Sequence, residues 1–397
     1  MSIQGVTFPF PARLRTPLKV DSVLLITCLV ILLGGLVILA SASVSISDRT
    51  AGDAFFYLER QLLAAFVGLL LGAACLFVPM RVWQSLGPLL LLLAFVLLAL
   101  VFVPGLGHTV NGSTRWIRAG FMNIQVSEPA RLCLLIYLAG YLVRRNRVLR
   151  DGFSGFLRPI ALLSVACMML LAEPDFGATI VLLATAMVML FVAGARMRDF
   201  FLFLVVGGVG LSAMAIASPY RLKRLTGFMD PWSDPFNSGF QLTQSLIAIG
   251  RGEWFGVGLG DSVQKLFYLP EAHTDFVFAV YAEEFGLLGS LLMIGVFLAL
   301  LWRILRLARQ AAAVERLFEA YLAVGIGTWL GLQAFINIGV NMGLLPTKGL
   351  TLPLISYGRS SLIVALASIG ILMRIYHELE TDSSPVNRRR RTQEVEQ

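Results

Sequence analysis

Six acidic residues sit at or near the ends of long apolar runs: Glu128, Glu173, Asp175, Asp275, Glu283 and Glu284. An ionisable group inside a bilayer costs roughly 2.5–3.5 kcal/mol on insertion scales, so each must be paired or put to chemical use. The densest constellation is Leu269-Pro-Glu271-Ala-His273-Thr-Asp275-Phe, followed by Ala282-Glu283-Glu284-Phe-Gly286. Asp275 stands where a polar loop enters an apolar helix. The helix dipole and free N–H groups there favour its ionised form, while the apolar surroundings favour the neutral one. A carboxylate held between those influences can act as a general base, and it can equally cap the helix. Glu283 and Glu284 lie about 12–14 Å deeper at helical rise, and two adjacent glutamates cannot both face lipid. Glu128 and Arg131, three residues apart on one helix face, fit an intrahelical ion pair. Glu173 and Asp175 flank Pro174 in a turn, where Asp175 is placed to cap the next helix.

The elements that position these groups follow from composition. Of 397 residues, 57% are hydrophobic and 14% charged, against about 45–50% and about 25% in a soluble domain. With a mean hydropathy of +0.79, the chain reads as an all-α polytopic membrane protein, and disorder, a collagen-like fold or a disulfide-stapled domain are excluded. Ten apolar runs are expected to cross the membrane: 20–44, 61–79, 84–103, 129–143, 159–172, 177–195, 200–217, 275–301, 320–342 and 352–376. The fifth is short enough to be re-entrant. Of the 32 Lys and Arg residues, 20 fall on one side if the N-terminus is inside, among them Arg144, Arg145, Arg147, Arg150 and the tail run 388–391. The positive-inside rule then makes both termini cytoplasmic. The expected organisation is a cytoplasmic segment 1–19, a ten-helix membrane domain 20–376 and a cytoplasmic tail 377–397. The first span is read as a retained helix, not a signal peptide.

Two substantial outer loops follow, 104–127 and 218–274. The second carries Gly250, Gly252, Gly256, Gly258 and Gly260, a cluster that suits either close approach to a sugar or phosphate or an ordinary flexible loop. The outer cations Arg115, Arg118, Arg221, Lys223, Arg224, Arg251, Lys265, Lys348 and Arg359 run against the positive-inside bias. They suggest an anionic, phosphate-bearing ligand, although pairing with Asp230, Asp234, Glu253 or Asp261 explains some of them. The four cysteines, Cys28, Cys75, Cys133 and Cys167, read as small packing residues, and the pairs Gly68/Gly72 and Gly327/Gly331 as close helix contacts. The three histidines are too scattered for a metal triad, and neither a Walker A loop nor a Gly-x-Ser-x-Gly elbow is present. Energy from nucleotide hydrolysis and nucleic-acid binding are not expected.

The motifs above, with Arg115-Trp116-Ile117, Gln125-Val-Ser-Glu128-Pro-Ala-Arg131 and Glu173-Pro-Asp175-Phe-Gly177, occur in order along the chain. They are joined by Asn337-Ile-Gly-Val-Asn341-Met-Gly343-Leu-Leu-Pro346-Thr-Lys348-Gly349-Leu-Thr-Leu-Pro353-Leu-Ile-Ser356-Tyr357-Gly358-Arg359. Over about Asp21 to Arg374 the chain resembles the SEDS family (shape, elongation, division and sporulation) of bacterial cell-wall polymerases. The segment 346–353 is more similar to the division branch than to the elongation branch. The chain departs from the family pattern at Val126 (usually Pro), Arg131 (usually Lys) and Arg359 (usually a second Gly).

The resemblance implies a peptidoglycan glycosyltransferase that polymerises lipid II at the outer face of the inner membrane, at the septum. Its implied partners are a cognate class B penicillin-binding protein and other division proteins. It also implies that Asp275 is catalytic, taking the proton from the acceptor sugar 4-hydroxyl. Arg115, Glu128, Arg131, Glu173, Asp175, His273, Glu283, Glu284, Lys348 and Ser356 are then expected to support the site or bind substrate. Outer Arg and Lys residues, alone or with a divalent cation (Mg2+ or Mn2+), would neutralise the leaving pyrophosphate, and the sequence fixes no cofactor. The rival readings are a lipid flippase, which ions in broken helices at mid-bilayer would favour whereas here the charges gather near the outer ends of the spans, and a non-catalytic scaffold.

Overall fold

The computed structural model describes residues 18–110, 113–119, 122–216, 227–237, 239–347 and 349–382. Twelve helices and one small sheet are seen among them. The helices are α1 (Ser22–Ala51), α2 (Phe56–Phe77), α3 (Met80–Leu100), α4 (Ser127–Arg144), α5 (Asn146–Asp151), α6 (Phe153–Ala172), α7 (Phe176–Val192) and α8 (Met197–Ile216). They continue with α9 (Phe240–Arg251), α10 (Val277–Ala313), α11 (Leu317–Asn341) and α12 (Arg359–Asp382). Seven of these, α1, α2, α3, α6, α10, α11 and α12, are long and apolar enough to cross a membrane.

The run expected to be short and re-entrant is a full helix of 20 residues, α6. Its apolar stretch looks truncated because Arg158 interrupts it and Pro159 reads as a start, but Pro159 sits inside the helix. The last helix begins at Arg359, so 352–358 is not part of a span as expected; it forms irregular backbone against Gly35 of α1 and Gln61 of α2. The all-α expectation also needs correction. The loop expected at 104–127 folds as an antiparallel sheet of β1 (Gly107–Val110), β2 (Ser113–Ala119) and β3 (Met122–Gln125), in the order β1-β2-β3. Trp116 faces His108 on one side and Gln125 on the other. The β-branched and aromatic residues Thr109, Thr114, Trp116, Ile117 and Ile124 suit a pleated ribbon.

Helices meet through small residues. Gly68 and Gly72 of α2 lie against Ile363 and Leu366 of α12, and Gly327 and Gly331 of α11 against Ile304 and Leu301 of α10. All four cysteines are free and buried, in keeping with a packing role. The two ends of the described chain meet: the Lys19 N–H donates to His377 Nδ1 at 3.1 Å. Around that contact, Arg303 pairs with Asp21 at 2.7 Å and Arg316 with Asp382 at 2.6 Å. The starts of α2, α4, α7 and α10 and the end of α11 gather at the opposite end, which carries the site.

Candidate active site

Asp275 is half-buried and lies two residues before α10, whose N-cap is Phe276. The capping reading of Asp275 therefore does not describe this helix. Its main chain is held instead: Asn337 Nδ2 and Asn341 Nδ2 of α11 donate to the Asp275 carbonyl at 2.8 and 3.0 Å. Asn341 Oδ1 accepts the Ala279 N–H at 3.1 Å, clamping the first turn of α10 to the same side chain. The Asp275 carboxylate borders Gly349, where an added Cβ would stand 3.3 Å from Oδ2. Lys348, next in the chain, lies outside the described residues, as do Arg221, Lys223 and Arg224.

The two asparagines belong to a longer ladder. Trp329, Gln333, Asn337 and Asn341 recur every fourth residue along α11, which puts them on one face. Gln333 Oε1 accepts from Trp329 Nε1 at 2.8 Å and from Arg131 Nη1 at 3.2 Å, while its Nε2 donates to the Thr351 carbonyl at 3.0 Å. Asn337 also donates to the Leu350 carbonyl at 2.6 Å. The ladder thus ties the 349–351 backbone, the Asp275 turn and α4 into one unit. Arg131 pairs with Glu128 at 3.4 Å as the three-residue spacing anticipates, and its guanidinium lies 5.2 Å from the centre of the Trp329 ring. Both charges are buried, so they brace the ladder from within. The spacing of polar residues inside an otherwise apolar helix is the sequence signal that could have revealed Gln333 and the ladder.

Glu283 and Glu284 face the protein, and each holds part of the second outer loop. Glu283 accepts from Arg251 Nη1 at 2.8 Å, Ser262 Oγ at 2.5 Å and the Val263 and Gln264 N–H groups at 3.1 and 3.3 Å. Glu284 Oε1 accepts from Lys265 Nζ at 2.9 Å and Ser41 Oγ at 2.5 Å. Arg251 and Lys265 are therefore compensated by these glutamates, not by the loop carboxylates the sequence offered.

Just beyond, α10 breaks at Gly286, with φ 66° and ψ −162°, a region open essentially to glycine. Loop backbone enters the break. Val257 and Gly258 N–H groups donate to the Glu283 and Glu284 carbonyls at 3.0 and 3.1 Å; Leu287 and Leu288 donate to Glu253 and Trp254 at 2.8 and 3.2 Å. A Cβ on Gly252 or Gly256 would collide with the Ala282 or Glu284 carbonyl. These two glycines serve the seating of the loop in its own helix.

Arg115 on β2 donates through Nη2 to the Pro174 carbonyl at 2.6 Å and through Nε to the Glu173 carbonyl at 3.3 Å, and lies 3.9 Å from Asp175. Asp175 caps α7 by accepting the Ala178 N–H at 3.0 Å. Ser127 and Gln125 also donate to it, at 3.3 and 3.4 Å. Arg115 is thus bound to the α6–α7 turn and does not stand free for a ligand. Both Glu173 carboxylate oxygens are buried without a hydrogen-bond partner. Burial first, and then the nearby Asp175 charge, push its pKa up to about 8, with Arg115 opposing. Glu173 is consequently protonated at neutral pH.

His273 sits in an aromatic cluster, 4.7 Å from the Tyr57 ring and 5.8 Å from Tyr357. Burial pushes its pKa below the ordinary 6.5, with Glu271 opposing, so the ring is neutral at pH 7 and offers no cation to a phosphate. Ser356 Oγ accepts the Leu352 N–H at 2.8 Å, and its carbonyl accepts from Gln61 Nε2 at 3.0 Å. Ser356 shapes the turn, and Gln61 is a positioning residue the sequence did not disclose. Glu271 and Leu354 adopt left-handed φ of 56° and 65°, a strain of about 1–3 kcal/mol each that the surrounding contacts must hold. Among the described residues, no three His, Cys, Asp or Glu side chains converge as a metal cradle.

The long apolar helices define a multi-pass membrane protein with a half-buried carboxylate and an amide ladder at the mouth of its bundle. The chain belongs to the cell cycle protein family of FtsW, RodA and SpoVE, whose model matches residues 21–381. It is 54% identical over 376 residues to a probable peptidoglycan glycosyltransferase FtsW of Thioalkalivibrio sulfidiphilus, covering 94% of this chain and 93% of that one. A Coxiella burnetii protein of the same description is 51% identical over 360 residues, 91% and 97% of the two chains. Among solved structures, a chain from work on the structural coordination of polymerization and crosslinking by a peptidoglycan synthase complex superposes with a TM-score of 0.77. It is 30% identical, covering 92% of this chain and all of that one. Thermus thermophilus RodA, a rod shape determining protein, gives 0.67 at 31% identity, covering 91% and 97%.

Proposed function

We propose that the protein is a peptidoglycan glycosyltransferase that polymerises lipid II during septal wall synthesis, with Asp275 as general base. The observation that carries this reading is the double anchoring of the Asp275 carbonyl by Asn337 and Asn341. It fixes the position of a half-buried carboxylate at the bundle mouth. Asp275 takes the proton of the acceptor 4-hydroxyl as that oxygen forms a bond to the donor's anomeric carbon. The bond from that carbon to undecaprenyl pyrophosphate breaks, and the electron pair leaves with the pyrophosphate. Lys348, adjacent to Gly349, is placed in sequence to meet that charge. General-base assistance contributes about 10²–10⁴-fold, and positioning and charge stabilisation supply the remainder.

The proposed topology is ten spans with both termini cytoplasmic and the loop 218–274 outside the inner membrane. The Lys19–His377 contact and the cation count support it. The proposed domain limits remain 1–19, 20–376 and 377–397. The proposed partners are lipid II, a class B penicillin-binding protein and other division proteins. The broken helix α10 is the one observation favouring a flippase, but its break is filled by the chain's own loop and its two glutamates are paired.

Purified wild-type and Asp275→Asn proteins, reconstituted with the penicillin-binding partner and labelled lipid II, test the proposal. Glycan chains from the wild type and a 10²–10⁴-fold loss in the variant are expected. Equal rates overturn the assignment of Asp275, translocation without polymer favours the flippase, and neither activity favours the scaffold.

A further inference from the structure

Beyond its break, α10 carries a stripe that the proposed chemistry does not use. Trp302, Arg306, Arg309, Gln310 and Ala313 recur at helical spacing and line a groove of about 370 Å³ on the outside of the bundle. The opposite face of the same turns is buried, and there Arg303 is neutralised by Asp21 at 2.7 Å. Arg306 and Arg309 differ: among the described residues neither forms an ion pair. The Arg306 guanidinium lies 5.3 Å from the centre of the Trp302 ring, which is 52% exposed. Tracing the stripe back toward the break gives Leu298 and Leu291, both more than half exposed. Gly295 lies between them, and a Cβ there would meet nothing within 4 Å.

The two halves form an amphiphile's template. From Leu291 to Trp302 is about 16 Å at helical rise, close to the half-thickness of a hydrocarbon core of about 30 Å. Trp residues favour the membrane interface, which places the two guanidinia at headgroup level. Planar guanidinium pairs suit phosphate oxygens. Two positive charges with no ion-pair partner among the described residues select a headgroup with net negative charge over a zwitterionic one. The open strip at Gly295 selects a lipid over a free phosphate or an acidic peptide, since only the lipid brings a chain to lie there. Trp302 is about 38 Å along α10 from Val277, so this surface belongs to the leaflet opposite Asp275.

We propose that the Leu291–Ala313 face of α10 is a binding site for one anionic glycerophospholipid, with its phosphodiester on Arg306 and Arg309 and an acyl chain over Gly295. The test is native mass spectrometry of the full-length protein in detergent, titrated with phosphatidylglycerol or phosphatidylcholine. The wild type is expected to prefer phosphatidylglycerol by about 30-fold, the factor that two basic contacts give at an anionic surface. Arg306→Gln/Arg309→Gln is expected to erase that preference. Gly295→Phe, which fills the acyl strip and leaves the charges, is expected to weaken binding of both lipids. Arg144→Gln/Arg147→Gln, removing exposed cations elsewhere, is expected to retain the preference. Equal binding of the two lipids by the wild type overturns the proposal. So does a preference that survives in the Arg306/Arg309 variant, or one lost only in the Arg144/Arg147 variant. The substituted arginines are exposed and pair with no acid among the described residues, and unchanged thermal unfolding in lipid-free detergent checks that each variant is folded.

Discussion

Gly286→Ala sets two backbone arrangements of α10 against each other. In the observed one, residue 286 has φ 66° and ψ −162°, which costs a non-glycine residue about 1–3 kcal/mol. The new methyl would also stand 2.7 Å from the Gly252 carbonyl oxygen and the Phe255 nitrogen. Both are backbone atoms that no rotamer change can move. In the alternative, α10 closes into a continuous helix, where alanine is better than glycine by about 1 kcal/mol. Closure exchanges four hydrogen bonds between loop and helix for two within the helix, a loss of about 1–3 kcal/mol at the net value of one bond. The substitution therefore shifts the balance by about 2–4 kcal/mol toward the closed helix, on the order of 30- to 1,000-fold in population, which matches or exceeds the preference for the break. Hydrogen exchange on the folded variant should show the Val257 and Gly258 amides losing protection while Leu287 and Leu288 keep theirs. Polymerisation should fall at least about tenfold, because misplacement by about 1 Å can cost 10²-fold and the same loop leads to Asp275. A folded Gly286→Ala protein with unchanged protection at 257 and 258 would refute the reasoning.

Asn341→Ala removes a donor to the Asp275 carbonyl and the acceptor of the Ala279 N–H, and should lower kcat by about 10- to 100-fold with KM little changed, as steady-state polymerisation assays can read. Gln333→Leu leaves Trp329 Nε1 without its acceptor and Arg131 with Glu128 alone, and should destabilise the protein by roughly 2–4 kcal/mol, measurable by thermal unfolding in detergent. Glu173 has its folded pKa raised from 4.5 to about 8, so between those values the folded state binds more protons than the unfolded one. Its contribution to stability is full below about pH 4.5 and is lost as pH rises through about 8. Glu173→Gln should flatten the fall of melting temperature across that window, and a variant whose pH profile matches the wild type would contradict the buried, protonated assignment.

Hydrophobicity and charge act over whole segments, so they are legible without a structure. The apolar runs lie on helices because a chain in lipid must satisfy its own backbone groups. The Glu128–Arg131 pair and the Asp175 cap were also visible, since both depend on contacts three residues apart in the sequence. The first outer sheet was missed because its strands, 4, 7 and 4 residues long, are too short to stand out against loop residues.

What the sequence by itself determined is the membrane class, the rough place of each long helix, and the set of charged residues that must be explained. Only the tertiary structure decided what each of those residues does. Asp275 differs from Glu283 through its surroundings: the former is held by its backbone with its carboxylate beside Gly349, while the latter's carboxylate is filled by four donors from residues 19–32 positions away. The same holds for the glycines at 252 and 256, whose purpose lies in a helix break more than 25 residues further along the chain. Local pattern carries the physics of burial and helix formation. Which partners a carboxylate meets depends on distant residues that only the folded chain brings to it.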